Sequence, residues 1–496
     1  MEIIRNFPCL SILLAMFSAI ISSALKGNGA RRLNTFVVTA VGCLSAATLY
    51  LTHTTGKSYV YVMGHFPAPF GNEIRFGSLE AGMALFFCVI MLFSLNGGRG
   101  KLRIEVDPGK ENLYYIMVDL LLSSLLALVY TNDLFTAYVF VEINTIAACG
   151  LIMIMESGRA IEAATRYMIM SLLGSGLFLI GLCMLYDMTG HLLMSYIQES
   201  VREIAANGTY MIPLLVTIAL IVVGLAIKSA LFPFHAWLPD AYGYSTVSSA
   251  AMLSSLVSKG YIFLLIKIIY RVIGFDIFVN SRIINVLFVF GLAGMIMGST
   301  SAIRENDIRR MISYSSVAQI GYIYMGFGLG TTAGMVASVF HILSHAATKS
   351  LLFVSGVGLT DVSGEKTQFI ELTGSAYRNV AAGLAFTVGS LSMVGIPLFS
   401  GFISKLLFSQ AAVQSNMKML PALIVLAVST VLNAIYFMKT VIRIYTPMES
   451  RYPSVSIKKN RLYAFTLLCF MVLNVVLGMC SQPITDWITQ GLSVFA

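Results

Sequence analysis

Charge is what this chain of 496 residues has least of: 11% of its side chains are Asp, Glu, Lys or Arg, while 57% are apolar. With a mean hydropathy of +0.83, it has too little polar surface for a water-soluble globule, and its solvent is lipid. No polar stretch leaves room for a soluble catalytic domain. The seven cysteines (Cys9, Cys43, Cys88, Cys149, Cys183, Cys469 and Cys480) are scattered, mostly in apolar runs, and form neither CxxC nor CxxCH. That spacing offers no ligand set for an iron–sulfur cluster, a zinc ion or a c-type haem. No cofactor is therefore expected, and the thiols read as small buried hydrophobes. The 27 methionines lack the clustering with His or Cys that a copper site needs. The first apolar run has neither a strongly basic start nor a small-residue cleavage site, so it reads as a span and not as a removable signal peptide.

What is abundant is apolar sequence in runs of about 20 residues, the length that crosses a bilayer. Such runs lie near 4–25, 33–52, 78–96, 112–130, 133–154, 162–187, 211–231, 244–270, 283–303, 307–328, 331–358, 382–410, 418–445 and 462–490. The expectation is an all-α integral membrane protein with about 14 transmembrane helices. In a soluble protein the net charge of +9 would point to nucleic acid, but here the basic residues sort by loop and the lipid bilayer is the partner. Lys26, Arg31, Arg32, Arg99, Lys101, Arg103, Lys110, Arg159, Arg166, Arg304, Arg309, Arg310, Lys366, Arg378, Arg451, Lys458, Lys459 and Arg461 follow odd-numbered runs. Only Arg5, Lys57, Arg75, Arg202, Arg271, Arg282 and Lys418 fall in the amino-terminal end and the even loops. The positive-inside rule then predicts a multi-pass plasma-membrane protein with odd loops in the cytoplasm and both termini outside, which requires an even number of spans.

Two stretches, 112–270 and 283–445, hold five runs each, between a three-span segment at 1–111 and a last span at 446–496. An odd span count sets consecutive copies in opposite orientations, so the pair reads as inverted repeats, a transporter signature. Each copy has an interrupted helix late in the unit, at Lys228-Ser229-Ala230-Leu231-Phe232-Pro233 and at Gly395-Ile396-Pro397 through Gly401 to Lys405. Proline lacks the amide hydrogen and clashes with the preceding turn. Freed backbone groups at bilayer depth survive only where protein or trapped water satisfies them, so a break beside a lysine points to a hydrated cavity.

Lys228, Lys259, Lys267, Lys349, Lys405, Lys439 and Arg443 all stand inside apolar runs, where a cation costs about 2.5–3.5 kcal/mol on insertion scales. A chain that keeps so many is expected to use them to carry charge. Glu142, near the middle of the fifth run, needs a partner at that depth, and Lys228 is the candidate, with Lys259 following on the next helix. His341, His345 and Lys349 recur at steps of four, with Ser338 and Ser344 near the same face. That places them about 6 Å apart in a polar stripe suited to a proton relay, because imidazole both donates and accepts near neutral pH. Two His at this spacing could also start a zinc site, but no third ligand accompanies them. Lys405 closes the series just past the second interruption. These midplane groups are mostly nitrogen bases, whereas sodium takes oxygen ligands, so a protonic path is favoured.

The segment Phe232-Pro233-Phe234-His235-Ala236-Trp237-Leu238-Pro239-Asp240-Ala241-Tyr242 is the most specific motif. With Lys228 before it, Lys259 after it, Asp307 through Gly321, the His341–Lys349 stripe and Gly395 through Phe402, it resembles the antiporter-like subunits of complex I, Mrp sodium/proton antiporters and membrane-bound hydrogenases. The resemblance runs from about residue 67 to 445. Within that superfamily, Phe66-Pro67-Ala68-Pro69-Phe70-Gly71 looks most like the Mrp D subunit and its hydrogenase counterpart. The resemblance implies that Glu142 and Lys228 are the essential Glu–Lys pair, Lys259 and His345 the central relay and Lys405 the terminal lysine. It also makes His235, His341, Lys349 and Asp133 motif neighbours, and other membrane subunits of a Mrp-type, complex I-like or hydrogenase complex the partners. One departure stands out: the family usually has an aspartate at the start of the third span, and here Gly77-Ser78-Leu79-Glu80 stands there. Two rival readings are a redox subunit, which would need cofactor ligands this chain lacks, and a stand-alone solute carrier, which would need a substrate-sized central cavity.

Overall fold

The computed structural model describes residues 3–66, 71–448, 454–455 and 460–495. Pro67 to Phe70 of the Phe66–Gly71 motif, and Arg451, Lys458 and Lys459 of the last basic loop, lie outside them. The architecture is nearly all helical, because in lipid a helix satisfies its own backbone. In chain order the elements are α1 (Phe7–Ala24), α2 (Gly27–Thr55), the strands β1 (Tyr59–Val62) and β2 (Glu73–Phe76), α3 (Ser78–Glu105), α4 (Glu111–Tyr130), α5 (Leu134–Met153) and α6 (Gly158–Thr189). Then follow α7 (Met194–Asn207), α8 (Met211–Lys228), α9 (Leu238–Gly243), α10 (Val247–Ile273), α11 (Phe275–Asn280), α12 (Ile283–Arg304), α13 (Ile308–Gly328) and α14 (Thr332–Asp361). The series ends with α15 (Val380–Val394), α16 (Ser400–Val413), α17 (Met419–Ile444), α18 (Arg461–Met479) and α19 (Ser481–Ser493).

Twelve helices are long and apolar enough to cross a membrane among the described residues, so this is an integral membrane protein of many spans. Two of the fourteen apolar runs are not among the twelve. α13 carries Arg309, Arg310 and Gln319, which dilute its hydropathy, and the run at 382–410 is split into α15 and α16. Starts and stops follow local chemistry. The side chains of Asp133, Ser157, Asp307 and Thr331 cap the helices that follow them by accepting from backbone amides. Gly190 and Gly208 close α6 and α7 in the left-handed conformation.

Several expectations need correction. The chain is not purely α: β1 and β2 pair antiparallel from Tyr59↔Phe76 to Val62↔Glu73. The run at 462–490 is not one span, because the chain breaks at Cys480 and α19 buries Thr485, Ile488, Gly491 and Leu492 while Gln482, Asp486 and Gln490 stay exposed. An apolar stripe with a polar back suits a helix lying along the bundle, not through a bilayer. Arg271 is not in a loop; it is buried in a π-helical turn, Ile269–Ile273, that ends α10.

Two helices run through the interior. The apolar windows of α10 and α14 are wholly enclosed by the rest of the chain, whereas those of α1, α17 and α18 are mostly left uncovered by it. Small residues allow close approach around them: a Cβ on Gly291 or Gly298 of α12 would stand 2.5 Å from backbone nitrogens of α13, the packing mode of helices that gain nothing hydrophobic by meeting in lipid. Both described ends lie on one face of the bundle. Arg5 sits 4.8 Å from the Tyr59 ring centroid and the carbonyl of Val494 accepts from Arg75 Nη2 at 3.5 Å, both beside the hairpin.

Candidate functional site

The two breaks create the site. α8 stops at Lys228, and the chain then crosses Ser229 to Trp237 without regular helix, through Ala230 at φ +61° and a cis Phe232–Pro233 bond, before α9. α15 stops at Val394, and Gly395 at φ +91° turns the chain toward α16. A Cβ there would lie 2.9 Å from Lys405 Cδ, so the turn needs both the left-handed backbone and the missing side chain. Each break leaves carbonyls at the negative end of a helix dipole and places a lysine against it. Lys228 is the last residue of α8, and Lys405 Nζ donates to the carbonyl of Val394 at 2.6 Å.

Lys228 is 1% exposed. Its Nζ donates to Thr145 Oγ1 at 2.5 Å and stands 5.7 Å from the Tyr261 ring centroid. Glu142, on α5 one turn before Thr145, is close enough to act on Lys228 electrostatically, but no ion pair joins them among the described residues. Glu142 is half-buried, and its Oε1 has no hydrogen-bond partner. Glu142 and Lys228 thus lie within electrostatic reach of each other, while the hydrogen bond of Lys228 goes to Thr145. From there Tyr261, Tyr167 and Tyr242 neighbour one another. Tyr261 Oη donates to Asn144 Oδ1 at 2.9 Å and Tyr242 Oη to Leu253 O at 3.2 Å, while Lys259 Nζ donates to Ser258 Oγ at 3.1 Å and to Ser254 O at 2.5 Å.

Lys259 is fully buried at the first turn of α10 after a π-helical turn, Leu253–Val257. It is in electrostatic reach of Lys349, His345 and His341 on α14. The rings of His341 and His345 are parallel within 4° with centroids 5.7 Å apart, as the spacing of four predicts. His341 Nδ1 shares a hydrogen bond with Ser404 Oγ at 2.6 Å, while its Nε2 and both ring nitrogens of His345 are buried without hydrogen-bond partners among the described residues. Lys349 Nζ donates to Ile312 O at 2.8 Å and to Ser315. Lys405 lies within electrostatic reach of His341. Beside this line, Thr348, Ser392 and Ser400 converge on Asn474 Oδ1 at 2.7, 3.2 and 3.2 Å. Across the two halves, Ser229 Oγ meets Tyr324 Oη at 2.6 Å.

The structure thus brings Lys228, Lys259, His341, His345 and Lys349 into the interior between the two breaks, with Lys405 half-buried at the second. It leaves other candidates aside. Asp133 serves as the cap of α5, accepting from Thr136 N at 2.7 Å. His235 lies in the first break, half-buried and stacked on Phe232 with centroids 5.4 Å apart. Lys267 is spent on the end of α4, and Lys439 and Arg443 line a small recess with Glu305, the former exposed. Thr145, Tyr261 and Ser404 escaped the sequence reading because a hydroxyl in an apolar run is common, and only the fold shows which ones face a lysine or a histidine.

The family described as NADH:quinone oxidoreductase/Mrp antiporter, TM, matches residues 131–432. The chain is 31% identical over 443 residues, 89% of its length and 86% of the relative's, to NADH-quinone oxidoreductase subunit N of Desulforudis audaxviator (strain MP104C). It is 28% identical over 496 residues to the putative antiporter subunit mnhD2 of Staphylococcus aureus (strain JH9), covering 98% of this chain and 95% of that one. Among solved structures it superposes on a chain of the membrane-bound sulfane sulfur reductase, an archaeal respiratory membrane complex, with a TM-score of 0.87, 26% identity and coverage of 100% and 98%. A chain of the Mrp complex from Dietzia sp. DQ12-45-1b shares the fold, with a TM-score of 0.86, 23% identity and coverage of 99% and 97%.

Proposed function

This chain belongs to the NADH:quinone oxidoreductase/Mrp antiporter transmembrane family, and from that premise we propose that it is the proton-translocating subunit of a multisubunit plasma-membrane complex. Protons would pass along Glu142, Lys228, Lys259, His345 and Lys405, with His341 and Lys349 beside the line and water bridging the intervals. Fourteen spans, with α13 and the broken α15/α16 pair as the thirteenth and fourteenth, would form two inverted five-helix units at 112–270 and 283–445, flanked by 1–111 and 446–496, with both termini outside. In support of the repeat, the fourth membrane-spanning segment of each stretch is the interrupted one, α7 being too short and polar to span.

The observation that carries the reading is the enclosed pair α10 and α14, whose cations and imidazoles act on one another inside a bundle that excludes lipid from them. A buried charge held only for structure is often replaceable by apolar packing, whereas orphaned imidazole nitrogens are what a transient proton path requires. Glu142 and Lys228 would act as a switch. While Glu142 is ionised it stabilises ammonium at Lys228 through the Thr145–Tyr261 neighbourhood; when it moves off or takes a proton, that stabilisation ends and the Lys228 proton passes toward Lys259.

The names of the relatives, a quinone oxidoreductase subunit, an antiporter subunit and a respiratory complex, support assembly with other membrane subunits and leave the driving force, redox or ion gradient, to those partners. The test is pH-gradient formation in vesicles carrying the complex with Glu142, Lys228 or Lys405 replaced by alanine. Loss in assembled complexes is expected, and unaltered pumping in all three would remove the mechanism.

A further inference from the structure

At the face that bears the termini, apart from the line above, stands a second buried ion cluster. Glu80 on α3 and Arg271 at the end of α10 pair at 2.6 Å between Oε1 and Nη2, with side chains 0% and 1% exposed. Glu80 also accepts from Gly77 N at 2.9 Å, capping its own helix. Lys267, one turn earlier on α10, donates to Leu128 O at 3.3 Å, Val129 O at 2.8 Å and the carbonyl of Thr131, closing the carboxyl end of α4. Arg75 on β2 faces the same cluster, and the Tyr130 hydroxyl faces Glu80. One carboxylate therefore stands among three cations.

Two further observations point to a working site. Among the described residues Arg271 Nε and Nη1 are buried without hydrogen-bond partners, and Nη2 meets Glu80 Oε1 as an ion pair without hydrogen-bond alignment, a costly state for a guanidinium unless a visiting acceptor fills it. Arg271 also sits in the π-helical turn Ile269–Ile273, an irregularity that recurs at functional sites and is costly to keep otherwise. On its far side the guanidinium carbon lies 4.1 Å from the Phe495 ring centroid. Phe495 meets Tyr270 edge-on at 6.5 Å, and Tyr270 stacks on Phe275 at 5.1 Å. Tyr270 and Phe275 are also walls of an open vestibule of about 420 Å³ whose polar lining includes Gln198, Arg202 and Asp276. One aromatic layer separates vestibule from ion pair.

We propose that Glu80 and Arg271 form a proton-exchange mouth of this subunit on the outer side, closed by the door of Phe495 and Tyr270. In the inward direction, an O–H bond of a hydronium ion in the vestibule breaks as one forms at Glu80 Oε1. Glu80 then releases Arg271 to bond water, and passes the proton to water leading toward Lys259, which precedes Lys267 by eight residues or about 12 Å of helix. The outward direction is the reverse. The idea rests on the proton-translocating reading above.

The experiment uses the assembled complex in right-side-out vesicles, with inner pH clamped and outer pH varied. Glu80→Gln is expected to lose transport by at least about tenfold, with the remainder no longer responding to outer pH, and Glu80→Asp to restore the response. Phe495→Ala, which leaves the ion pair intact, is expected to speed the response to a step in outer pH several-fold. A purely structural pair would lower assembly and leave the outer-pH response of each assembled complex unchanged. Glu80→Gln at the wild-type rate and outer-pH response overturns the proposal, and if that variant fails to assemble, an unchanged step response in Phe495→Ala does so. Because Glu142→Ala is measured alongside, failure of the mouth alone is distinct from failure of the whole proton path, in which Glu142→Ala would also transport normally.

Discussion

Thr145→Val is the sharpest test of the Lys228 neighbourhood, because it deletes one hydroxyl and nearly nothing else. Thr145 Oγ1 is the acceptor for Lys228 Nζ at 2.5 Å, the one hydrogen bond of that amino group among the described residues, and both side chains are buried. A hydrogen bond to a charged group contributes about 1.5–3 kcal/mol, and valine keeps the branched shape while leaving an ammonium N–H unpaired. If the bond exists only while Lys228 holds its proton, the full amount falls on one step of the cycle, slowing transport by about 10- to 150-fold at 1.4 kcal/mol per tenfold. The assay is the initial rate of dye-reported acidification in vesicles, divided by the amount of assembled complex. Thr145→Ser should stay near the wild-type rate. A Thr145→Val complex that assembles normally and pumps within about twofold of wild type would refute the reasoning, since Lys228 would then not depend on its only acceptor.

His345→Ala should lower the same rate by about a hundredfold, the usual size of a lost proton-transfer group, and a rate unchanged per assembled complex would take it off the path. Gly395→Ala should destabilise the complex by about 1–3 kcal/mol through its φ of +91° and push Lys405 from the Val394 carbonyl, read as a lower Tm together with slower transport. Asp119 on α4 accepts from Ser18 at 2.7 Å and Asn34 at 2.6 Å, tying α4 to α1 and α2. Asp119→Ala should therefore cost about 1–3 kcal/mol by orphaning those donors, seen as less assembled protein with the transport of each complex unchanged.

Apolar runs and the two proline-marked breaks were legible in the sequence because length and missing amide hydrogens act locally. The split of α18 from α19 was not, since both halves are apolar enough and only the spacing of Gln482, Asp486 and Gln490 separates them. Lysines in apolar runs announced themselves by their insertion cost, but their partners did not. The Thr145 acceptor of Lys228 is one such partner, because a contact across two helices depends on crossing geometry that no spacing records. Lys267 looked like part of the path on the same grounds as Lys259, and only the carbonyls of α4 reveal it as a clamp. Arg271 was hidden by its place at the end of a run, where a loop was the simplest reading.

The partners of the buried cations carry a consequence for how the protein is made. Lys228 meets Thr145, Lys267 the end of α4, Arg271 Glu80, Lys349 Ile312 and Ser315, and Lys405 Val394. Every one of these groups is synthesised before the cation it receives. Each of these cations thus leaves the ribosome after the oxygen acceptor it will meet, and none depends on a stretch not yet translated for that hydrogen bond or ion pair.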